Sequence, residues 1–272
     1  MPPYAVNHMT VPGLPCDALF GLARRLGCVG VELRNDLARP LFDGASPEAV
    51  RGAAREHGLR IVGLSQVYPF NAWSDAVRAE VEQLIAQAKA CGAETISLIP
   101  RNDYEGAAQG ERQANARTAL AEIEPLLEAA DMVALVEPLG FASSSLRSKQ
   151  EAVEAIESLG AAGRFKLVHD TFHHHLAGGG PIFPEHTGIV HVSGVVDPAL
   201  QVAQMRDEHR VLVDERDRLG NVAQIAELRA AGYRGPISFE AFSPAVHALA
   251  DPEPALRASI GHIEGAVAAA AR

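Results

Sequence analysis

The sequence is poor in cysteine, in positive charge and in long apolar runs, and each shortage excludes a class of protein. Three cysteines lie far apart among 272 residues and form no CxxC pair, so neither a disulfide framework nor a thiolate zinc site is expected. Lysine and arginine number 24 against 34 aspartate and glutamate, a formal net charge of −10 that disfavours nucleic-acid partners. No apolar run would span a bilayer and no signal peptide is recognisable, so we expect no membrane association and a cytoplasmic protein.

A glycine-rich phosphate loop is also missing. After the first predicted strand the chain continues as TVPGLP, which matches neither GxGxxG nor GxxxxGK[ST] and disfavours an open, doubly wound nucleotide-binding sheet. What is present is an ordinary globular composition, with 47% hydrophobic residues and a mean hydropathy of +0.02. The length suits one α/β barrel domain over residues 1–272.

Short apolar, β-branched runs alternate with helical patterns along the whole chain. Capping boxes at Ser148–Glu151 and Asn221–Gln224 predict where two of the helices begin. The predicted strands are Ala5–Met9, Val29–Arg34, Arg60–Val67, Thr95–Pro100, Val133–Leu139, Phe165–Asp170, Ile189–Val195 and Ile237–Phe242. Eight strand–helix units without a break in composition predict an α/β fold, a single (β/α)8 TIM barrel.

One connection is unusually long. Residues 196–219 are strongly polar and follow the seventh predicted strand. Loops of this length inside compact domains are either functional or disordered, and a solvated loop is the simpler alternative. In a barrel this segment would lie on the catalytic face.

Polar residues recur at the carboxyl ends of the predicted strands, where barrel enzymes place their active sites. In chain order they are Asn7, His8, Glu32, Arg34, Ser65, Gln66, Glu137, His169, Asp170, His173, His191, Ser193, Ser238 and Glu240.

Four of these residues, Glu137, Asp170, His191 and Glu240, belong to the consecutive strands 5 to 8. A single carboxylate would be explained by an ion pair, but three carboxylates at one barrel mouth repel each other unless a cation neutralises them. Three oxygens and one imidazole suit Mn²⁺ or Mg²⁺, with Co²⁺ or Zn²⁺ as alternatives. The pattern therefore predicts one divalent metal ion.

The same residues carry a family resemblance. Glu137-Pro138, Asp170-Thr171-Phe172-His173, His191 and Glu240 together resemble the xylose-isomerase-like TIM-barrel superfamily, most closely the branch with ketose 3-epimerases and 2-keto-myo-inositol isomerase. The runs VGVEL and GYRG are similar as well. The resemblance implies that the four positions bind one metal, that Glu137 and Glu240 are the catalytic acid/base pair, and that His173 contacts the substrate.

Departures from the family pattern leave the substrate contacts open. Strand 7 carries one histidine where relatives often show His-x-His, and Asp197 stands where relatives place a substrate-binding arginine. Arg210, and after it Arg206, are the expected replacements.

Other substrate contacts are predicted from position. His8 and Gln66 either hydrogen-bond substrate hydroxyls or brace neighbouring loops. Phe70 and Trp73 either stack on a substrate ring or pack beneath the helices.

Together these features predict a divalent-metal-dependent isomerase of a keto-polyol or ketose, with a 2-keto-myo-inositol-like substrate favoured. The expected chemistry is glutamate-mediated proton transfer through a metal-bound cis-enediolate. A ketose 3-epimerase would use the same site, and a 3-dehydroshikimate-dehydratase-like lyase the same proton abstraction. An apurinic endonuclease is disfavoured by the net charge, and a non-catalytic binding module by retention of all four ligand residues. The expected partner is a small polyol or keto-sugar, and a homodimer is the expected assembly.

Overall fold

The computed structural model describes residues 2–103 and 109–270. Eight parallel strands close into one barrel in chain order, with β1 paired to both β2 and β8. This confirms the predicted (β/α)8 TIM barrel. The strands are β1 Tyr4–Asn7, β2 Gly30–Arg34, β3 Arg60–Val67, β4 Thr95–Leu98, β5 Val133–Val136, β6 Phe165–Asp170, β7 Thr187–Val192 and β8 Ile237–Phe239.

Helices surround the barrel, and a capping residue marks the start of α5. Ser148 accepts a hydrogen bond from the Glu151 backbone and Glu151 accepts one in return, the reciprocal arrangement predicted for the start of α5. The helices are α1 Cys16–Leu26, α2 Pro47–Glu56, α3 Asp75–Cys91, α4 Gln109–Ala130, α5 Lys149–Ser158, α6 Thr171–Leu176, α7 Asn221–Ala230, α8 Pro244–His247 and α9 Glu253–Ala270.

The prediction of a capping box at Asn221–Gln224 is wrong. Helix α7 begins at Asn221, and its N-cap is Gly220 in a left-handed conformation with φ 75°. The Asn221 side chain instead donates to the Ser193 carbonyl at 2.8 Å and to Asp217 at 3.0 Å. Asn221 therefore ties the end of β7 to the loop that follows it.

Several strands end earlier than predicted, for reasons visible in the hydrogen bonds. β5 stops before Pro138, which has no N–H to continue the ladder. β8 stops at Phe239, and the N–H of Phe242 turns to the Arg210 carbonyl at 3.0 Å. As a result Glu137 and Glu240 lie directly after their strands and at the mouth of the barrel.

An apolar cluster fills the barrel below the mouth. It comprises Ala5, Val62, Leu135, Val168 and Ile189, all at most 3% exposed. Side chains alternate along a strand, so residues two positions apart point to the same side. Glu137, Asp170 and His191 each follow a member of this cluster by two positions and therefore also point into the barrel. The apolar cluster supports these three polar side chains from below.

The long polar connection is folded back onto the barrel. Gly194 and Val211 form an antiparallel bridge with N–H···O distances of 2.7 and 2.8 Å. Short 3-10 turns at Val202–Gln204 and Asp207–His209 lie within the segment. The bridge places Arg210 beside the ends of β6, β7 and β8.

Within the described part of the chain, no helix has the length and apolar character needed to cross a bilayer.

Candidate metal centre

Glu137, Asp170, His191 and Glu240 converge at the mouth of the barrel. Each offers one ligand atom, and these four atoms lie within 4.8 Å of one another. All four residues are buried, with exposures of 2–6%. Three carboxylates gathered in a buried space need positive charge, so the donor set suits a divalent cation.

His191 tests whether the site fits a metal. Its Nδ1 atom is buried and makes no hydrogen bond, although it lies 3.2 Å from Glu240, 3.9 Å from Glu137 and 4.0 Å from Asp170. A buried ring nitrogen without a partner, facing three carboxylate oxygens, is the arrangement that a metal would complete. The residues present therefore fit the predicted ion.

Glu32 orients the His191 ring from the other side. Its Oε2 lies 3.1 Å from His191 Nε2, and Glu32 is fully buried. Asn7 donates to both Glu32, at 3.3 Å, and Glu240, at 3.2 Å. Carboxylates that hold a metal-binding histidine in this way fix its tautomer and orientation.

From the sequence, Glu32 and Asn7 were expected only to be polar strand-end residues, without an assigned role. The available signal was a lone glutamate within the otherwise apolar run VGVEL.

Two arginines flank Glu240. Arg210 is 1% exposed and its Nη2 lies 2.6 Å from Asp170 Oδ2 and 2.8 Å from Glu240 Oε2. Arg34, 8% exposed, donates to Glu240 Oε1 at 2.7 Å and forms a two-pronged pair with Asp36. Arg34 was likewise noted as a strand-end residue without a role.

Arg210 was predicted to hold substrate oxygens, and the structure surrounds it with protein partners. Its Nε donates to Ser193 at 3.0 Å and its Nη1 to Asp207 at 3.2 Å. The guanidinium also lies 5.0 Å from the ring centre of Phe172 and 4.5 Å from that of Phe242. Arg210 lines the cavity, but its guanidinium group already forms ion pairs with Asp170, Asp207 and Glu240.

The two glutamates differ in electrostatic environment. Burial, reinforced by the charge of Glu240, raises the pKa of Glu137 to about 8. Burial would also raise the pKa of Glu240, but His191 and Arg210 hold it well below its ordinary value. For His191, Glu32 and Glu240 outweigh burial and raise its pKa. His191 and the arginines therefore contribute positive charge beside the carboxylates.

His173 lies over Glu137. Its Nε2 is 3.9 Å from Glu137 Oε1, and its Nδ1 accepts the Gly140 N–H at 3.3 Å, so Nε2 carries the ring proton. Gly140 approaches so closely that an added Cβ would lie 2.2 Å from the His173 carbonyl oxygen. Burial lowers the pKa of His173. The result is a neutral imidazole that can donate a hydrogen bond into the cavity.

The cavity above these residues, here called the central cavity, has a volume of about 250 Å³. Gln66, predicted to contact substrate, lies in its wall with Glu137, His173, Arg210 and Glu240. Its other lining residues are Arg34, Asp36, Tyr68, Ile99, Asn102, Leu139, Phe141, Asp207 and Phe242.

The structure corrects the aromatic contacts. Phe70 is fully buried in the hydrophobic core, and Trp73 packs against that core with the Arg78 guanidinium 5.7 Å from its ring centre. Neither lines the central cavity, because the chain beyond Tyr68 turns down toward the helices. Tyr68, Phe141 and Phe242 provide its aromatic wall instead.

Two further predicted contacts also lie elsewhere. His8 is 2% exposed and its Nε2 donates to the Leu14 carbonyl at 2.7 Å, the loop-bracing alternative. Arg206 donates to the carbonyls of Ala203 and Met205 and lines a neighbouring cavity.

His169, the strand-end histidine next to Asp170, points away from the barrel interior. Lys149 donates to its Nδ1 at 2.7 Å, and Gln224 accepts from its Nε2 at 2.9 Å. Lys149 is 7% exposed, and burial lowers its pKa to about 7. This pair joins β6 to the helices behind it and does not face the central cavity.

Comparison with known proteins adds independent findings. A family model described as "Xylose isomerase-like TIM barrel" matches residues 20–266. A xylose isomerase domain containing protein from Salmonella typhimurium LT2 is 33% identical, with TM-score 0.87 and coverage of 99% of this chain and 97% of that chain. A comparison with curated proteins finds no match.

More distant structures share the fold. The IolI protein, solved with a bound zinc atom, is 18% identical with TM-score 0.87 and 99% coverage of both chains. A D-allulose 3-epimerase from Methylomonas sp., solved with D-allulose, is 17% identical with TM-score 0.72 and 96% coverage of both chains.

Proposed function

The chain belongs to the xylose isomerase-like TIM barrel family, and from this premise we propose that it is a divalent-metal-dependent isomerase of a small keto-polyol or ketose. The observation that carries the proposal is the convergence of Glu137, Asp170, His191 Nδ1 and Glu240 within 4.8 Å, with Glu137 and Glu240 in the wall of the central cavity. Such a site suits sugar isomerisation and epimerisation, because both remove a weakly acidic proton from the carbon beside a ketone.

A divalent ion held by these four residues would supply the positive charge that acidifies a C–H beside a ketone and stabilises the enediolate. Mn²⁺ or Mg²⁺ suits a set of three carboxylates and one imidazole best. Zinc is the alternative, since the structurally similar IolI protein was solved with a zinc atom.

Glu137 and Glu240 would move the protons. Because Glu137 follows β5 and Glu240 follows β8, the two carboxylates reach the cavity from different sides of the barrel. One takes the proton from the hydroxyl-bearing carbon, and the return of a proton to the neighbouring carbon relocates the ketone. His173 Nε2–H, beside Glu137, donates a hydrogen bond to the developing oxyanion.

The charges around the cavity support a neutral substrate. Arg34 and Arg210 both line it, and both are already paired with carboxylates. Both guanidinium charges are therefore already balanced by carboxylates of the chain. This disfavours the lyase alternative, whose substrate carries a carboxylate, and favours a neutral polyol or ketose.

Proton exchange in D₂O tests the proposal. The purified protein, loaded with Mn²⁺, is incubated with 2-keto-myo-inositol, D-fructose and D-allulose, and carbon-bound deuterium is followed by NMR. We expect exchange with at least one of them, abolished by Glu240→Gln and by chelation. Isomerisation moves the ketone, whereas 3-epimerisation inverts carbon 3. A protein that binds no divalent metal, or exchanges no proton in any of the three, would overturn the proposal.

A further inference from the structure

A second and larger cavity, here called the side chamber, lies next to the central cavity. It has a volume of about 850 Å³, against about 250 Å³ for the central cavity. Asn102, Phe141 and Asp207 line both, so the two spaces share a wall. The remaining lining comes from the segments after β5, β6 and β7, on the catalytic face of the barrel.

The volumes indicate a ligand of two parts. Binding sites for small molecules typically enclose about 300–1,000 Å³. The central cavity falls below that range and suits a single small ring at the metal centre. The side chamber lies well within the range and has room for a larger group than the reacting one.

The charges of the side chamber balance. Two arginines, Arg147 and Arg206, and two carboxylates, Asp207 and Glu208, line it. Each arginine also donates to backbone carbonyls, Arg147 to Phe141 and Gly140 and Arg206 to Ala203 and Met205. An anionic group would meet two carboxylates here, so phosphate or carboxylate is disfavoured.

The rest of the lining combines hydroxyl-binding groups with apolar surface. Ser143 contributes a hydroxyl and Asn102 an amide, and Ser143 Oγ donates to Asn102 Oδ1 at 3.0 Å. Phe141, Leu176 and Val202 contribute apolar groups. Sugar rings combine hydroxyl groups at the edge with apolar C–H faces, and they bind where both kinds of partner are available. A neutral sugar unit fits this lining better than an ion or a purely apolar group does.

Two residues connect the side chamber to the metal centre. The ring of Phe141 lies edge-on to His173, with centroids 5.1 Å apart. Asp207 accepts from Arg210 at 3.2 Å while its side chain stays 45% exposed. A ligand that occupies both cavities would contact Phe141 and Asp207, which line both, with its reacting ring beside His173.

We propose that the side chamber binds the second sugar unit of a glycosylated ketose, so that the substrate is a ketose disaccharide or a comparable glycosylated keto-polyol. This rests on the proposed isomerase function of the metal centre. The central cavity takes the ketose unit, and the side chamber takes the glycosyl unit attached to it.

The test compares substrates that share one ketose. Deuterium exchange by the Mn²⁺-loaded protein is measured with D-fructose, isomaltulose and lactulose, the last two being fructose with an added glycosyl unit. We expect kcat/KM to be about tenfold higher or more for one of the disaccharides, because the added unit contributes binding energy. Ala203→Trp, which adds a large side chain to the lining of the side chamber, should remove that advantage and leave exchange with D-fructose within about twofold. Ala199→Trp, exposed in the same loop but outside the chamber, is the matched control.

The failures of the two proposals are distinguishable. Two results would overturn the proposed role of the side chamber but not the isomerase proposal. One is exchange with D-fructose but with neither disaccharide, and the other is a preference for D-fructose 6-phosphate over isomaltulose. If no ketose exchanges, the isomerase proposal fails, and calorimetric binding of maltose then tests the chamber alone. Maltose binding that Ala203→Trp abolishes would support a sugar site, and absence of binding to the wild type would overturn it.

Discussion

The imidazole of His191 is held at Nε2 by the carboxylate of Glu32, 3.1 Å away, and its Nδ1 is left facing the carboxylates of the metal centre. Glu32 therefore acts as a positioning residue, since it sets which nitrogen of the ring is available to a metal. The pair spans the barrel from β2 to β7.

Replacing Glu32 tests this role. Glu32→Gln keeps the shape but removes the negative charge that orients the ring, and we expect metal affinity to fall by about 10- to 100-fold. Titration of the metal-free protein with Mn²⁺ measures the change. Glu56→Gln, an exposed site on α2, is the control. Wild-type Mn²⁺ affinity in Glu32→Gln would contradict the assignment.

Adding and removing the metal should change thermal stability. An ion that binds only the folded state at about one hundred times its Kd stabilises by about 2.7 kcal/mol. We therefore expect Mn²⁺ to raise the unfolding temperature and EDTA to reverse the rise. Calorimetry measures both, and Glu240→Gln should respond much less because it loses one of the four ligands. An equal response in the variant would exclude Glu240 as a ligand.

Arg210 should matter most when the metal is absent. Arg210→Met leaves Asp170 and Glu240 without the guanidinium that lies 2.6 and 2.8 Å from them. Loss of one partner from a buried ion pair costs about 3–5 kcal/mol.

A bound cation would replace part of the lost positive charge, so Mn²⁺ should raise the unfolding temperature of Arg210→Met more than that of the wild type. Arg206→Met is the control, because Arg206 is exposed and its side chain donates to the backbone carbonyls of Ala203 and Met205. Calorimetry of each protein with Mn²⁺ and with EDTA gives both temperature shifts. A variant as stable as the wild type in EDTA would refute this prediction.

Lys149 should give the protein a distinctive pH dependence. Its pKa falls to about 7 in the folded state because it is buried, whereas an unfolded lysine titrates near 10.4. Between these pH values the unfolded chain binds more protons, so this group makes the folded state more stable as pH rises, by at most about 1.4 kcal/mol per unit.

The stabilisation is complete above the unfolded pKa and is lost as pH falls toward 7. Lys149→Met should remove this contribution, so the wild type should gain stability relative to the variant between pH 7 and 9. Urea unfolding at each pH measures the difference, and Lys89→Met, at an exposed site on α3, should leave the slope unchanged. Parallel profiles for the wild type and Lys149→Met would contradict the shifted pKa.

Much of the fold could be predicted because its signals are local. Parallel strands buried on both faces require apolar, β-branched runs, and capping residues such as Ser148 mark helix starts within a few positions. Strand β3 and strand β6 have the bounds that their runs predict. The capping box predicted at Asn221 was wrong because the Asn221 side chain donates to the Ser193 carbonyl, 28 positions away, and does not cap its own helix.

The residues of the candidate metal centre could also be selected from the sequence, because a carboxylate or histidine at the end of a buried strand is conspicuous. The residues that contact them from distant parts of the chain could not be predicted in this way. Glu32 and His191 are 159 positions apart, and only closure of the barrel brings them within hydrogen-bonding distance.

By itself, then, the sequence determined the (β/α)8 barrel and nominated four residues at its mouth, since strand periodicity and polar strand ends are properties of short segments. The tertiary structure alone decided that Arg210 binds Asp170 and Glu240, that Phe141 and not Phe70 faces the cavity, and that a side chamber lies next to the metal centre. These features depend on how a long loop folds back through the Gly194–Val211 bridge. The physical reason is that such contacts join segments distant in the chain, whose meeting is set by packing and barrel closure and leaves no pattern in either segment.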